Sequence, residues 1–200
     1  MRNLENIRVL ISGGGTGGHI YPALAIADEI RVQYPQSVIK FIGAKGRMEM
    51  EKVPQHGYEI EGLWISGFQR KQLLKNILLP FKIIFSLIKV RGIIRRFKPH
   101  ATVGVGGYAS ASLLYVSTRK KIPSLIQEQN SYPGITNKML ANKVDKICVA
   151  YEGVNTFFPK EKIVFTGNPV RDFSKLIINK KQEGLEYFGL YSDKPVVLII

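Results

Sequence analysis

Short apolar runs alternate with longer stretches of helical periodicity along most of the chain. Apolar and β-branched residues cluster at 7–11, 38–42, 58–65, 101–105, 124–127, 146–150 and 163–166, and each run predicts a strand. A helical pattern covers residues 21–34, with Pro22 in its first turn and Pro35 just past its end, and another covers 77–97. Strands that alternate with helices predict an α/β fold with a parallel sheet.

The sequence ends on another continuous apolar run, residues 195–200. This pattern predicts a buried strand. Because a domain rarely finishes on an unpaired core strand, we expect a second domain to begin near this point.

Positive charge is concentrated in one third of the chain. The formal net charge is +14, and no Asp or Glu stands between Glu61 and Glu128, an interval that holds twelve Lys and Arg residues. This concentration predicts a polyanionic partner, either nucleic acid or an anionic membrane face. The single cysteine, Cys148, excludes an intrachain disulfide. Together with an N-terminus that lacks the pattern of a secretory signal, it favours a reducing, cytosolic compartment.

A glycine-rich segment, GGGTGG at residues 13–18, joins the first predicted strand to the first helix. Glycine lets the backbone approach a ligand closely, and a helix N-terminus attracts anions. The segment fits G-x-G-x-x-G, but residues 41–45 offer no acidic side chain for a ribose. The segment also lacks the Lys and Ser/Thr of a P-loop. We therefore interpret it as a phosphate-adjacent loop in preference to a purely structural turn.

His19 stands at the exit of this loop, in the first turn of the helix. Position alone favours a surface or capping histidine. However, the positive end of a helix disfavours imidazolium, so a neutral ring able to accept a proton is expected beside the anion site. His19 is therefore a candidate general base.

Three further segments follow predicted strands. GVGGYAS, residues 104–110, repeats the strand–glycine–helix pattern, so two anion-suited loops are expected to face one crevice above the sheet. EQNSYPGITNK at 128–138 is rich in side chains that hydrogen-bond sugars, and GNPVR at 167–171 supplies one guanidinium. Ordinary polar turns remain the alternative for these last two segments.

The stretch 75–98 mixes bulky apolar residues with regularly spaced cations. Lys82 and Lys89 interrupt it too often for a transmembrane helix. A buried core helix and a helix lying on anionic lipid are both compatible with it, and the surplus of apolar residues favours lipid. Neither a recognised nucleic-acid module nor a set of stacking aromatics is visible, so no nucleic-acid partner is expected. The residues expected at the membrane surface are Leu78, Leu79, Phe81, Lys82, Phe85 and Lys89.

The motifs GGGTGGHIYPALA, ISGF, GVGGY, EQN, GITNK and GNPVR, in this order and spacing, resemble the MurG family of bacterial glycosyltransferases. The resemblance covers nearly the whole chain. It implies the GT-B architecture of two Rossmann-like halves. Residues 1–168 would be the acceptor-binding, membrane-associating half, and 169–200 the linker and the start of the donor-binding half.

The resemblance also implies a reaction and a location. The reaction transfers N-acetylglucosamine from UDP-GlcNAc, with inversion, to the 4-hydroxyl of undecaprenyl-pyrophosphoryl-MurNAc-pentapeptide (lipid I), which gives lipid II. The enzyme would be peripheral, on the cytoplasmic face of the bacterial inner membrane. No cofactor and no metal are expected, and residues 1–200 alone are expected to be inactive.

Residue roles follow from the same motif matches. His19 and Glu128 match catalytic candidates of the family. The positions that match donor contacts are Thr16, Gly17, Gly18, Asn130 and Arg171. The positions expected near the acceptor diphosphate are Gly14, Gly15, Gly106, Gly107, Tyr108 and Asn137.

Two other functions remain open from the sequence. A nucleotide-dependent oxidoreductase would use the glycine loop but lacks the acidic ribose ligand. A non-catalytic membrane-binding module would account for the charge but leaves the paired glycine loops and EQN without a role.

Overall fold

The computed structural model describes residues 6–67, 73–170, 180–191 and 194–197, with side chains at 73–75 left out. The chain divides into two compact units, Met1–Val170 and Arg171–Ile200. All the strands described below belong to the first unit.

The first unit is built on a parallel sheet of seven strands in the order β3-β2-β1-β4-β5-β6-β7. The strands are β1 Arg8–Gly13, β2 Val38–Ala44, β3 Glu59–Leu63, β4 Ala101–Gly106, β5 Ser124–Glu128, β6 Lys146–Val149 and β7 Ile163–Phe165. The predicted parallel sheet is confirmed, and each strand lies within two residues of its predicted bounds.

The helices of the first unit connect successive strands and cover the sheet. They are α1 Gly17–Gln33, α2 Glu49–Gln55, α3 Leu79–Phe97, α4 Tyr108–Arg119 and α5 Ile135–Leu140. The second unit contains α6 Lys180–Tyr187. Short 3-10 turns occupy Leu73–Leu78, Val154–Thr156 and Lys160–Lys162. None of the helices in the described ranges is long and apolar enough to cross a membrane.

The core lies on both faces of the sheet, which explains why the strands read as continuous apolar runs. Leu10 and Ile11 of β1 are both fully buried but belong to different clusters, because successive side chains of a strand point to opposite faces. Ile11 packs with Leu24 of α1, whereas Leu10 packs with Ile93 of α3. A third cluster covers β5 and β6.

Two expectations about local structure were wrong. Helix α1 begins at Gly17 and not at residue 21, because Thr16 O already accepts bonds from the N–H groups of His19 and Ile20. Residues 195–197 are not in a strand, and Val197 is 82% exposed. A strand needs a neighbour to pair with, and the described part of the second unit provides a helix only. The remaining residues of that run lie outside the described ranges.

Candidate functional site

Two glycine loops meet at the carboxyl ends of β1 and β4. These strands are neighbours, with β2 and β3 on one side and β5 to β7 on the other, so the strand order reverses between them. Ligands of open α/β sheets bind at such a switch point. The loops touch through their backbones, since a Cβ placed on Gly107 would lie 2.5 Å from the carbonyl oxygen of Gly14. The two loops therefore lie side by side at this edge of the sheet, as the sequence predicts, and the space above them is called the crevice below.

Helices α1 and α4 both begin at this crevice. Gly106 and Gly107 have φ values of +116° and +88°, which admit glycine readily, and they turn the chain from β4 directly into α4 at Tyr108. Gly17 and Gly18 form the first turn of α1, next to an exposed Thr16. The first N–H groups of a helix have no partner within it, so two helix N-termini present donors and partial positive charge to one place.

His19 lies between the two loops. Its Nδ1 atom is 3.2 Å from the carbonyl oxygen of Gly14 and 3.3 Å from Oγ1 of Thr16. A carbonyl oxygen can only accept, so a hydrogen bond to Gly14 uses a proton on Nδ1, and in the neutral form of the ring the lone pair is then on Nε2. The other edge of the ring faces Gly106, where a Cβ would lie 2.6 Å from Nε2. The ring is thus held in one orientation by the two glycine loops.

Glu49 is a site residue that the sequence analysis missed. Its side chain is completely buried, and its carboxylate accepts the backbone N–H of Gly15 at 3.0 Å and that of Ala44 at 2.9 Å. It fills space that exists only because Gly14 and Gly43 lack a Cβ. An acid does therefore reach the end of β2, where an oxidoreductase would need one. However, both its oxygens bind backbone N–H groups and no part of it is exposed to a ribose.

Glu128 lies at the end of β5, is 1% exposed, and accepts four hydrogen bonds. Oε1 accepts the backbone N–H and the side-chain amide of Asn130, both at 3.0 Å. Oε2 accepts the N–H of Gly134 at 3.0 Å and the amide of Asn137 at 2.8 Å. The carboxylate therefore organises the 128–138 loop and presents no open face for proton transfer.

The other polar residues of this loop divide into buried and exposed ones. Asn137 is 2% exposed, and its amide is directed at Glu128. Asn130 is exposed at the surface of the loop. Gln129, which the sequence analysis did not single out, donates to the carbonyl oxygen of Val105 at 3.0 Å and so ties the loop to the end of β4. Arg171 lies outside the described residues.

Tyr108 stands at the start of α4 and is 54% exposed. Its ring passes over Gly67, where a Cβ would lie 2.0 Å from the hydroxyl oxygen. The segment that follows β3 is therefore in contact with the second glycine loop. Phe68, the last residue of the ISGF motif, lies outside the described residues.

Helix α3 carries the apolar and basic residues that the sequence places at a membrane. Its outward face is apolar, with Phe81 56%, Phe85 55% and Ile88 58% exposed, and Leu78 just before it is 49% exposed. Leu79 is half-buried. Ile84, which a buried helix would have placed in the core, is also 54% exposed.

The two lysines of this helix bind back to the protein. Lys82 donates to Oγ of Ser66 at 2.9 Å, and Lys89 donates to the carbonyl oxygen of Gly62 at 2.8 Å. Both partners belong to β3 or the segment after it. The two ammonium groups therefore help fix α3 against that edge of the sheet, in addition to carrying charge.

Within the described ranges, no three His, Cys, Asp or Glu side chains are grouped so that they could hold a metal ion. The crevice instead offers backbone donors, two helix N-termini and one imidazole. This combination suits an anionic ligand next to a group that loses a proton.

The comparisons with known proteins agree with this geometry. The family model described as "Glycosyltransferase family 28 N-terminal domain" matches residues 9–149. Two relatives carry the name UDP-N-acetylglucosamine–N-acetylmuramyl-(pentapeptide) pyrophosphoryl-undecaprenol N-acetylglucosamine transferase. The one from Christiangramia forsetii is 56% identical over 98% of this chain, and the one from Flavobacterium psychrophilum is 52% identical over 98%.

A solved structure gives the same result. The crystal structure of MurG from Acinetobacter baumannii is similar with a TM-score of 0.69 and 26% identity, over 84% of this chain and 47% of that one. The chain also spans only 54% of the length of each of the two curated relatives. The resemblance inferred from the motifs is confirmed, as is the fold class of a GT-B N-terminal half. The chain belongs to glycosyltransferase family 28, and residues 9–149 form the N-terminal domain of that family.

Proposed function

We propose that this chain supplies the acceptor-binding half of an inverting N-acetylglucosaminyltransferase. The reaction moves N-acetylglucosamine from UDP-GlcNAc to the 4-hydroxyl of undecaprenyl-pyrophosphoryl-MurNAc-pentapeptide. The observation that carries the proposal is the meeting of two glycine loops around His19 at the switch point of the sheet. The names of the relatives support the same donor and acceptor.

His19 is the proposed general base. With Nδ1–H directed at Gly14, the lone pair on Nε2 accepts the proton of the acceptor 4-hydroxyl. The oxygen then attacks C1 of N-acetylglucosamine from the face opposite UDP, the C1–O bond to UDP breaks, and the configuration inverts. Donors at the positive helix ends stabilise the charge of the departing diphosphate.

The acceptor diphosphate is assigned to the N-terminus of α4, beside Gly106, Gly107 and Tyr108. Gly14 and Gly15 shape the opposite wall, but the N–H of Gly15 is committed to Glu49 and does not serve the ligand. Asn137 is assigned a supporting role through Glu128, because its amide is buried against that carboxylate.

The donor is assigned to the exposed edge formed by Thr16, Gly17, Gly18 and Asn130, with Arg171 as a further contact. Glu128 is assigned to positioning, since its four hydrogen bonds fix the loop that carries Asn130. Residues 1–168 then form the acceptor half, and 169–200 form the linker and the beginning of the donor half.

The outward face of α3 is proposed to lie on an anionic bilayer. Phe81 and Phe85 would enter the interface, and the surrounding cations would contact lipid headgroups. This arrangement corresponds to a peripheral enzyme on the cytoplasmic face of the inner membrane. The nucleotide-dependent oxidoreductase is not favoured.

The test is transfer of labelled N-acetylglucosamine from UDP-GlcNAc to a soluble lipid I analogue by the protein at its natural full length. We expect transfer that is lost in His19→Ala, while vesicle binding is retained. The 200-residue chain is expected to transfer no sugar, because it spans about half of its relatives. A full-length protein that is folded and binds UDP-GlcNAc but transfers nothing to the analogue would refute lipid I as the acceptor.

A further inference from the structure

An apolar groove of about 510 Å³ lies on the first unit between α3, α4 and α5. One wall is the stripe Leu79, Ile83 and Leu87 of α3, at the i, i+4, i+8 spacing of a single helix face. Tyr108 and Tyr115 of α4 contribute to the groove as well. The stripe is distinct from the outward face of α3, since Phe81 and Phe85 do not line the groove.

The groove begins where the second glycine loop ends. Tyr108 is the first residue of α4, follows Gly107 directly, and lines the groove. A ligand whose anionic group binds at the N-terminus of α4 would therefore have an apolar channel next to it. Such a ligand must be an amphiphile with its charge at one end.

The charges around the groove favour an amphiphile with a negatively charged end. Helices α3, α4 and α5 contain no Asp or Glu, and the charged side chain that lines the groove is Lys143. Its ammonium group lies 5.1 Å from the centre of the Tyr115 ring, within the groove wall. An anionic amphiphile would meet no acidic side chain on these three helices.

The rims of the groove remain apolar and exposed. Ile83 on α3 is 42% exposed, and Met139 on α5 is 72% exposed. An extended apolar chain lying along the groove would cover both. Burial of a chain of this kind stabilises a complex in proportion to the area that it removes from water.

We propose that this groove binds the first isoprene units of the polyprenyl chain of the acceptor, while the diphosphate binds at the N-terminus of α4. The proposal rests on the proposed function for the identity of the acceptor. The groove would draw the start of the lipid out of the bilayer along the protein. The outward face of α3 would hold the protein on the membrane by separate residues.

The test measures binding of three probes to the 200-residue chain by calorimetry, in the absence of vesicles: dimethylallyl, geranyl and farnesyl diphosphate. The three have the same head and differ in chain length. We expect the affinity to rise roughly tenfold or more with each isoprene unit that enters the groove. Equal affinity for the three probes would overturn the proposal.

Two variants locate the effect, and a third serves as a matched control. Ala111→Phe places a ring in the groove, and Ile83→Ser removes an apolar rim at an exposed position that should not threaten folding. Both should bring the affinity for farnesyl diphosphate close to that for dimethylallyl diphosphate. Phe85→Ser, on the outward face of the same helix, should keep the full dependence on chain length and lose vesicle binding. If Phe85→Ser abolished that dependence while the groove variants kept it, the chain would bind the outward face and the proposal would fail.

The outcome is separable from that of the proposed function. Sugar transfer without any chain-length effect would leave the transferase intact and remove the groove proposal. A chain-length effect without transfer to the lipid I analogue would support the groove as a polyprenyl diphosphate site and remove the acceptor assignment.

Discussion

Glu128 could act as a general base or as a positioning residue, and the two roles predict different effects of the substitution Glu128→Gln. A general base must expose a lone pair to the proton it removes, whereas a positioning residue uses its oxygens to hold the protein. Glu128 uses both oxygens for four N–H donors and is 1% exposed. We therefore expect Glu128→Gln to act first on the stability of the loop and through it on substrate binding.

The magnitude follows from the hydrogen bonds. A glutamine keeps one acceptor oxygen and turns an NH₂ group toward two of the four donors. The less costly orientation places that NH₂ near Asn130, which is exposed and can bind water, and keeps the oxygen on Gly134 and Asn137. Each buried donor left unpaired lowers the free energy of unfolding by about 1–3 kcal/mol, and water reduces this cost at Asn130. We therefore expect Glu128→Gln to lower the free energy of unfolding by about 2–3 kcal/mol.

The assay is urea denaturation of the 200-residue chain followed by circular dichroism, with Asn130→Ala as the control. The control removes one donor at an exposed position and leaves the backbone N–H of the loop on Glu128, so we expect it to cost less than about 1 kcal/mol. In the full-length protein, Glu128→Gln should raise KM for UDP-GlcNAc more than it lowers kcat.

The reasoning would be refuted by a Glu128→Gln variant that unfolds like the unmodified chain but loses a factor of about 10²–10⁴ in kcat, the size expected for a lost general base. In that case the base role would pass to Glu128. His19 would then be the residue that orients the substrate.

Three further substitutions test other parts of the site, and an alkylation measurement tests the environment of Cys148. Glu49→Gln should destabilise the chain by about 2–4 kcal/mol in urea, because one of its two N–H donors loses its acceptor within the core. Gly106→Ala should lower the free energy of unfolding by about 2–4 kcal/mol, because it combines backbone strain at φ +116° with a collision against the His19 ring. As a control, Gly134→Ala should leave the free energy of unfolding nearly unchanged, because a Cβ there would meet open space. Gly18→Ala should raise the free energy of unfolding by about 0.5–1 kcal/mol yet reduce sugar transfer by the full-length protein. Burial raises the pKa of the Cys148 thiol, so less thiolate is present at a given pH, and alkylation at pH 8 should be slower in the folded chain than in urea, with the difference shrinking as the pH rises.

The middle of the sheet could be predicted from the sequence because strands such as β1 and β4 are buried on both faces. Each of these strands is then a short apolar run bounded by turn residues, a pattern that does not depend on distant contacts. Helix α2 could not be found in this way. It is seven residues long, contains Pro54, and its first residue, Glu49, is charged and buried. Only the three-dimensional fold shows that the N–H of Gly15, 34 residues away, joins that of the nearby Ala44 on this carboxylate.

The motifs predicted which loops lie at the carboxyl ends of the strands, but not the contacts that each side chain makes there. GGGTGG and EQN correctly marked the carboxyl ends of β1 and β5. The sequence does not show that Glu128 accepts four hydrogen bonds from its own loop, or that Lys82 and Lys89 bind to β3 and the segment after it. These facts depend on contacts that side chains make after folding. Exposed stripes on α3 were easier to anticipate, since a surplus of apolar residues over what one buried face can hold is visible in the sequence.

Two sets of glycines in these loops are present for different physical reasons. At Gly13, Gly14 and Gly107 a Cβ would lie within 3.0 Å of neighbouring protein atoms, so these glycines are needed for the loops to come together. At Gly17 and Gly18 the nearest protein atoms are 3.5 Å and 3.8 Å away, and both residues are helical. Alanine would fit there and would favour the helix, since glycine within a helix costs about 0.5–1 kcal/mol relative to alanine. Packing therefore does not account for Gly17 and Gly18, and the proposed approach of the donor to the backbone at the start of α1 is the reason that we offer for them. A Gly18→Ala variant that is more stable and fully active would remove this reason for placing the donor there.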